Sequence, residues 1–134
     1  MDDFQYFGLF IDEYTRGILQ YRILSNLFGE KDKVFLDHCT LLHKSQIHNN
    51  PELYSYLNCH LGKHIKIKLV AIGMSNKAMA FKVEFYPTEV NMCANKIPYI
   101  TIATFNGGKP VDSNYIRHWK DIESIEIITT LNKI

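Results

Sequence analysis

The sequence predicts a single α+β domain covering residues 1–134, and two patterns in the chain support this class. Residues 64–74 and 78–86 alternate apolar and polar side chains on either side of a turn at residues 75–77, which is typical of an antiparallel hairpin. An earlier segment instead repeats apolar residues at helical spacing, at Ile18, Tyr21, Leu24 and Leu27. Because no linker or repeat period separates these elements, one compact domain is expected.

The predicted elements follow the order β-α-β-α-β-β-β-α-β. Residues 4–11 are apolar and aromatic and form the first strand, after which Asp12 is a suitable N-cap for a helix that ends at Gly29. A second strand is expected over residues 34–42. After a polar turn, Pro51 begins a short helix that ends near residue 57.

The second half of the chain continues from the hairpin into a loop over residues 87–96. A strand is predicted over residues 99–105, followed by a glycine-containing turn at 106–110. A short helix over residues 111–119 and a last strand over 122–128 complete the domain.

The composition indicates a soluble globular protein, with 46% hydrophobic and 22% charged residues and a net charge of +1. This balance gives no strong overall attraction to nucleic acid or membrane, although a local basic cleft is compatible with it. The acidic start lacks the apolar region of a signal peptide, and no apolar run is long enough to span a membrane. Three cysteines without CxxC spacing indicate reduced thiols and a cytoplasmic or other intracellular location.

Two apolar segments, residues 37–44 and 97–104, each place a threonine two positions after a polar ring residue. Because side chains two apart in a strand point to the same face, His38 shares a face with Thr40, and Tyr99 with Thr101. Two such strands side by side would present two rings and two hydroxyls to one cleft. That combination suits phosphate binding and proton transfer.

These two segments, together with residues 6–11 and the hairpin at 70–80, resemble the 2H phosphoesterase superfamily, which is named for two His-x-Thr/Ser motifs. More narrowly, the chain is similar to the cyclic phosphodiesterase domain of fungal and plant-type tRNA ligases and related RNA-repair proteins. The resemblance implies a bilobed, pseudo-symmetric fold with antiparallel sheets around a central groove. It also implies chemistry on 2′,3′-cyclic phosphates or other 2′-linked phosphodiesters, with neither metal nor cofactor.

The resemblance assigns acid–base roles to His38 and to position 99, and phosphate contacts to Thr40 and Thr101. Position 99 departs from the family pattern because it is tyrosine, whose hydroxyl titrates near about 10, whereas a histidine titrates near about 6.5. Three outcomes remain open. Tyr99 is the acid of a working enzyme, it orients the phosphate while His38 works alone, or the groove binds a ligand without turnover.

Three further residues are possible cleft contacts. His43 and Lys44 follow the first motif and either contact phosphate or end a solvated loop. Lys109, with Gly107 and Gly108, either wraps a phosphate or belongs to an ordinary turn.

Several other residues have a structural interpretation as an alternative to contact with a ligand. Ser113 and Asn114 either contact a ligand or cap the short helix. Tyr6 and Phe10 are expected to pack in the core rather than stack on a base. Cys59, His60 and His64 lack the spacing of a zinc site, so no metal is predicted. Three lysines form a basic stripe on one strand, which is either a solvated face or a contact for the RNA backbone, and these are Lys63, Lys66 and Lys68.

The predicted activity is a metal-independent phosphodiesterase acting on RNA ends or nucleotides with a 2′,3′-cyclic phosphate, or on a cyclic (oligo)nucleotide. The alternative is a groove that binds such a ligand without turnover. A third possibility is a structural or protein-interaction domain. The expected ligand is a nucleotide or RNA end with a cyclic or 2′-linked phosphate, and neither a membrane nor a protein partner is predicted.

Overall fold

The computed structural model describes residues 4–23, 33–88 and 90–134. The α-helices are α1 (Glu13–Ile23) and α2 (Pro51–Cys59), and 3₁₀ helices span Lys44–Asn49 and Pro110–Tyr115. The strands are β1 (Tyr6–Phe10), β2 (Lys33–Val34), β3 (His38–His43), β4 (His64–Met74), β5 (Ala78–Phe85), β6 (Tyr99–Thr104) and β7 (Trp119–Lys133).

The strands form one antiparallel sheet in the order β2-β6-β3-β1-β7-β4-β5, and a further pairing between β5 and β6 closes it. Closure of a sheet removes the unpaired edge strands that would otherwise favour aggregation. The predicted α+β class is confirmed, and the sheet is of a closed, barrel-like antiparallel type.

The core lies on the inner face of this sheet, and burial alternates along β4, whereas β6 is buried at every residue after Tyr99. On β1 the inward side chains are Phe7 and Leu9, both fully buried, and α2 adds Leu53 and Leu57 from outside the sheet. Burial of such side chains contributes about 1.5–3 kcal/mol each and accounts for the alternation in the sequence.

Helix α1 begins as the sequence predicts, because the Asp12 carboxylate accepts a hydrogen bond of 2.7 Å from the Thr15 amide. The face of α1 that is buried is not the one that the apolar spacing of Ile18 and Tyr21 predicts. Leu19 is buried, whereas Ile18 is 41% and Tyr21 88% exposed. The rest of the predicted helix, including Leu24, Leu27 and Gly29, lies outside the described residues.

The hairpin of β4 and β5 is confirmed, with β4 over the predicted residues. The predicted strand over residues 34–42 is wrong in one respect, because Leu36 adopts a positive φ of 55° and separates β2 from β3. The helix predicted over 111–119 is a 3₁₀ helix at Pro110–Tyr115, and the last strand is longer than predicted because it pairs with β4 along its length. No helix in the described ranges has the length and apolar character needed to cross a membrane.

Candidate active site

A cavity of about 430 Å³ opens beside β3 and β6, and its size is typical of a small-molecule site. The four residues of the two ring-x-threonine patterns all line it, namely His38, Thr40, Tyr99 and Thr101. The wall is completed by β1 and by the two 3₁₀ helices. Amide and hydroxyl groups in this wall come from Gln5, just before β1, and from the 3₁₀-helix residues Ser45, Gln46 and Asn114.

The pairing of β3 with β6 explains why these side chains meet. Cys39 pairs directly with Ile100, and both side chains are fully buried on the core side. The residues on either side of each therefore point to the opposite face, which is the cavity. The two ring-x-threonine patterns lie next to each other because the register pairs their central residues.

His38 packs against two aromatic rings of β1, which also stack on each other with their centroids 6.2 Å apart. Its ring stacks on Tyr6 with the centroids 4.9 Å apart, and on Phe10 at 5.3 Å. Tyr6 and Phe10 are half-buried beside the site instead of packing in the core as predicted. Gly8 lies between them on β1, and a Cβ there would be 3.2 Å from the Cys39 carbonyl oxygen and 3.3 Å from the Phe10 ring. The glycine therefore lets the two rings close on the histidine.

The protonation state of His38 favours a proton acceptor. Burial lowers the pKa of His38 below its ordinary value, and the Asp37 carboxylate only partly opposes this shift. The imidazole is therefore neutral near pH 7. Its Nε2 lies 3.1 Å from the Thr40 hydroxyl oxygen, so the hydroxyl and the ring share a hydrogen bond whose direction depends on the tautomer.

An ion pair fixes the backbone immediately before His38. Arg16 of α1 binds the Asp37 carboxylate, and its Nε donates a hydrogen bond of 3.3 Å to the Leu36 carbonyl oxygen. The Leu36 amide in turn donates to the Thr101 carbonyl oxygen at 2.9 Å. These contacts stabilise the left-handed conformation of Leu36 and thereby the entry into β3. Sequence reasoning missed Arg16, because no local pattern predicts a contact across 21 positions.

Tyr99 is half-buried and remains protonated. Burial raises the pKa of Tyr99 to about 12, with smaller contributions from the buried thiols Cys39 and Cys93. A phenol with this pKa is a poor base near neutral pH but a competent hydrogen-bond donor. Within the described part of the chain its hydroxyl has no hydrogen-bond partner, so a ligand in the cavity is free to accept from it.

Thr101 is less accessible than Thr40. Its side chain is 7% exposed, and its hydroxyl lies 3.3 Å from the Pro110 carbonyl oxygen and 2.9 Å from the Ser113 hydroxyl. A hydroxyl has one proton, so Thr101 donates to Pro110 while Ser113 donates to Thr101. To bind a phosphate oxygen, Thr101 must release Pro110, and Ser113 can continue to donate to it. Ser113 is therefore a supporting residue and not a surface cap.

Of the remaining predicted contacts, some line the cavity and others lie outside it. His43 lines the cavity, but its Nδ1 also accepts a hydrogen bond of 3.2 Å from the Ser45 amide and caps the first 3₁₀ helix. Asn114 also lines the cavity. Lys44 and Lys109 are exposed and lie outside the lining, and their contact with a ligand stays a prediction.

No group of three or more His, Cys, Asp or Glu side chains in the described ranges is arranged to hold a metal ion. His60 lies 2.6 Å from the Tyr56 carbonyl oxygen, and His64 lies 3.1 Å from the Thr130 hydroxyl. The cavity instead combines a neutral imidazole, a protonated phenol and two threonine hydroxyls. Together these groups can accept one proton and donate several hydrogen bonds to an anion.

Comparison with known proteins gives one family and one fold. The model of the fungal tRNA ligase phosphodiesterase domain family matches residues 20–128, a range that includes both motif strands. The crystal structure of a fungal RNA kinase is similar, with a TM-score of 0.65 and 18% sequence identity. The match covers 97% of this chain and 45% of that one, so the chain spans about half of that structure's length. At this identity the likeness shows the fold alone. No curated protein sequence matches the chain.

Proposed function

We propose that this chain, which belongs to the family of fungal tRNA ligase phosphodiesterase domains, is a metal-independent phosphodiesterase that opens 2′,3′-cyclic phosphates on RNA ends or nucleotides. The observation that carries the proposal is that His38, Thr40, Tyr99 and Thr101 line one cavity. In this proposal residues 1–134 form a single two-lobed domain. The strands β3 and β6 belong to opposite lobes, and the cavity is the groove between them.

The reaction follows from the state of each group. Water attacks phosphorus, and neutral His38 takes a proton from it. Thr40 and Thr101 donate hydrogen bonds to the non-bridging oxygens, where negative charge develops. The bond from phosphorus to one ribose oxygen breaks, and that oxygen receives a proton, which leaves a phosphomonoester and a free hydroxyl.

Tyr99 has a defined place in this scheme. With its pKa raised to about 12, the phenol is a weak acid that donates a hydrogen bond to the departing ribose oxygen. It gives up its proton only to a strongly basic alkoxide, and imidazolium at His38 then resupplies the proton. The step is slower than one with a histidine acid, because a well-matched acid or base contributes about 10²–10⁴-fold in rate.

The test is turnover of a substrate panel. Purified protein is incubated with 2′,3′-cyclic mononucleotides, an RNA that ends in a 2′,3′-cyclic phosphate, and 2′,5′- and 3′,5′-linked cyclic dinucleotides, and chromatography follows the products. We expect a phosphomonoester from the 2′,3′-cyclic substrates and a loss of about 10²–10⁴-fold in His38→Ala. His118→Ala is the matched control because His118 is exposed and lies outside the cavity. Equal rates in wild type and His38→Ala would refute the role of His38.

A second candidate is a groove that captures the same ligands without turnover. It is favoured by the engagement of the Thr101 hydroxyl with Pro110 and Ser113, which must be rearranged before phosphate binds. Calorimetric titration with a cyclic mononucleotide separates the two. Saturable binding without product would support capture, and product formation would exclude it.

A further inference from the structure

A row of side chains runs from the cavity across four strands of the sheet. Phe10 pairs with His38 on one side and with Thr130 on the other, and Thr130 pairs with His64. Directly paired residues of antiparallel strands point to the same face, so all four side chains lie on the outer face of the sheet. With strands about 4.8 Å apart, the row extends about 14 Å from His38 to His64.

Two further cavities adjoin this row. One of about 600 Å³ lies between α1 and the sheet, and its lining includes Phe10, Arg22, His64 and Thr130. Another of about 680 Å³ shares His64 with it and adds Lys63, Lys66 and Tyr86. Because the His38 ring stacks on Phe10, the row connects the candidate active site to both cavities. We call this surface the track, defined by Phe10, Arg22, Lys63, His64, Lys66 and Tyr86.

The track carries cations whose charge the neighbouring acids only partly cancel. Glu126 is its main acidic group, and this carboxylate is already bound by Lys66, at 3.5 Å, and by the Tyr86 hydroxyl. Asp12, the other acid lining the track, caps the start of α1. Lys63 and Arg22 are exposed, and each adds positive charge to one of the two cavities.

Two aromatic rings of the track, Phe10 and Tyr86, line the same cavities as these cations. The Lys68 ammonium lies 5.0 Å from the centre of the Tyr86 ring, and Tyr86 is 37% exposed. Rings alternating with cations along a groove are the chemistry by which proteins bind single-stranded nucleic acid, through base stacking and phosphate contacts.

We infer that the track binds the nucleotides next to the reacting end of a single-stranded RNA. The inference rests on the proposed function for the direction of the strand, because the terminal phosphate then lies at His38 and the chain leaves over Phe10 toward His64. It predicts that the protein discriminates between substrates by length. A mononucleotide fills the cavity alone, whereas an oligonucleotide also contacts the track.

The kinetic test compares an eight-nucleotide RNA that ends in a 2′,3′-cyclic phosphate with a 2′,3′-cyclic mononucleotide. In the double variant Lys63→Gln, Lys66→Gln we expect the ratio of kcat/KM for the oligomer to that for the mononucleotide to fall about tenfold, which is the loss of two phosphate contacts. Lys120→Gln is the matched control. Lys120 is an exposed lysine of β7 that pairs with Ile72, about 30 Å along the strand from Thr130. An unchanged ratio in the double variant would overturn the inference.

A separate measurement of RNA binding distinguishes this inference from the proposed activity. Fluorescence anisotropy measures the affinity of the same RNA without a cyclic phosphate as a function of salt. We expect the double variant to bind more weakly and to have a salt slope shallower by about 0.7 per lysine removed.

Turnover that depends neither on RNA length nor on these lysines would support the proposed activity and refute RNA binding by the track. RNA binding that depends on the lysines, without turnover, would support RNA binding by the track and refute the proposed activity. Competition by an acidic peptide as effective as that by RNA would indicate a protein partner and would also refute it.

Discussion

On β3, His38 packs against the rings of Tyr6 and Phe10, and its imidazole contacts the Thr40 hydroxyl. On β6, Tyr99 packs against a buried aliphatic cluster of Ala78, Ala80 and Ile116. The Thr101 hydroxyl beside it is engaged by Ser113 and Pro110. The same ring-x-threonine spacing therefore has two environments. Around His38, burial favours a neutral imidazole that can accept a proton. Around Tyr99, burial favours a protonated phenol that donates a hydrogen bond.

The largest expected effects come from two single substitutions that each place one motif's ring in the other motif. His38→Tyr removes the only imidazole of the two motifs, and we expect turnover to fall by about 10²–10⁴-fold. Tyr99→His places a group of ordinary pKa near about 6.5 on the opposite side, and we expect faster hydrolysis. Steady-state rates on a 2′,3′-cyclic mononucleotide measure both. A Tyr99→His variant that is slower than wild type would mean that the phenol is already suited to its step.

A smaller effect is expected at Ser113, which acts on β6 only. Ser113→Ala removes the donor to Thr101, so the hydroxyl of Thr101 is no longer held in place for a phosphate oxygen. We expect kcat/KM to fall about tenfold, consistent with the loss of one hydrogen bond to a buried group. Rescue in Ser113→Thr, which keeps a hydroxyl, would support positioning over a loss of packing. Equal defects in Ser113→Ala and Ser113→Thr would contradict it.

Two glycines provide a comparison in stability, Gly8 beside the Tyr6 and Phe10 rings and Gly73 beside the Ile116 and Trp119 side chains. A Cβ at Gly73 would lie 2.6 Å from both Ile116 and the Trp119 ring, whereas at Gly8 the nearest contact is 3.2 Å. We expect Gly73→Ala to lower the free energy of unfolding by about 1–3 kcal/mol, the usual cost of overpacking, and Gly8→Ala to lower it less. Urea denaturation of the two variants measures the difference. The reverse order would mean that the aromatic stack on β3 is the less adaptable of the two environments.

The smallest expected effect is a shift in pH dependence through Arg16. In Arg16→Gln the Asp37 carboxylate is no longer neutralised and stabilises imidazolium at His38 more strongly. The pKa of His38 therefore rises, and the acidic limb of the pH–rate profile moves to higher pH. If the acidic side of the pH–rate profile did not move, a group other than His38 would control the rate there.

The same histidine links stability to pH. Its pKa is lowered in the folded state, so below about 6.5 the unfolded chain takes up a proton that the folded chain does not. Stability is therefore expected to decrease as the pH falls from that value toward the lowered pKa of His38. Thermal melts of wild type and His38→Gln across this range measure the contribution, which the variant lacks.

Sequence periodicity determined the elements whose signals are local. The alternation of β4 and β5, the N-cap at Asp12 and the two ring-x-threonine pairs depend only on neighbours a few positions away, and the structure contains each of them. The motif pairs also carried the family resemblance that the family match supports.

The tertiary structure decided which of these side chains meet and in what state. The pairing of Cys39 with Ile100 aligns the two motifs, and the closure of β5 onto β6 buries Tyr99 enough to raise its pKa. The ion pair of Arg16 with Asp37 likewise depends on long-range contact. Register, burial and rotamers are fixed by contacts between residues far apart in the chain. Local spacing alone therefore predicts the presence of a ring and a hydroxyl but not their protonation or their hydrogen bonds.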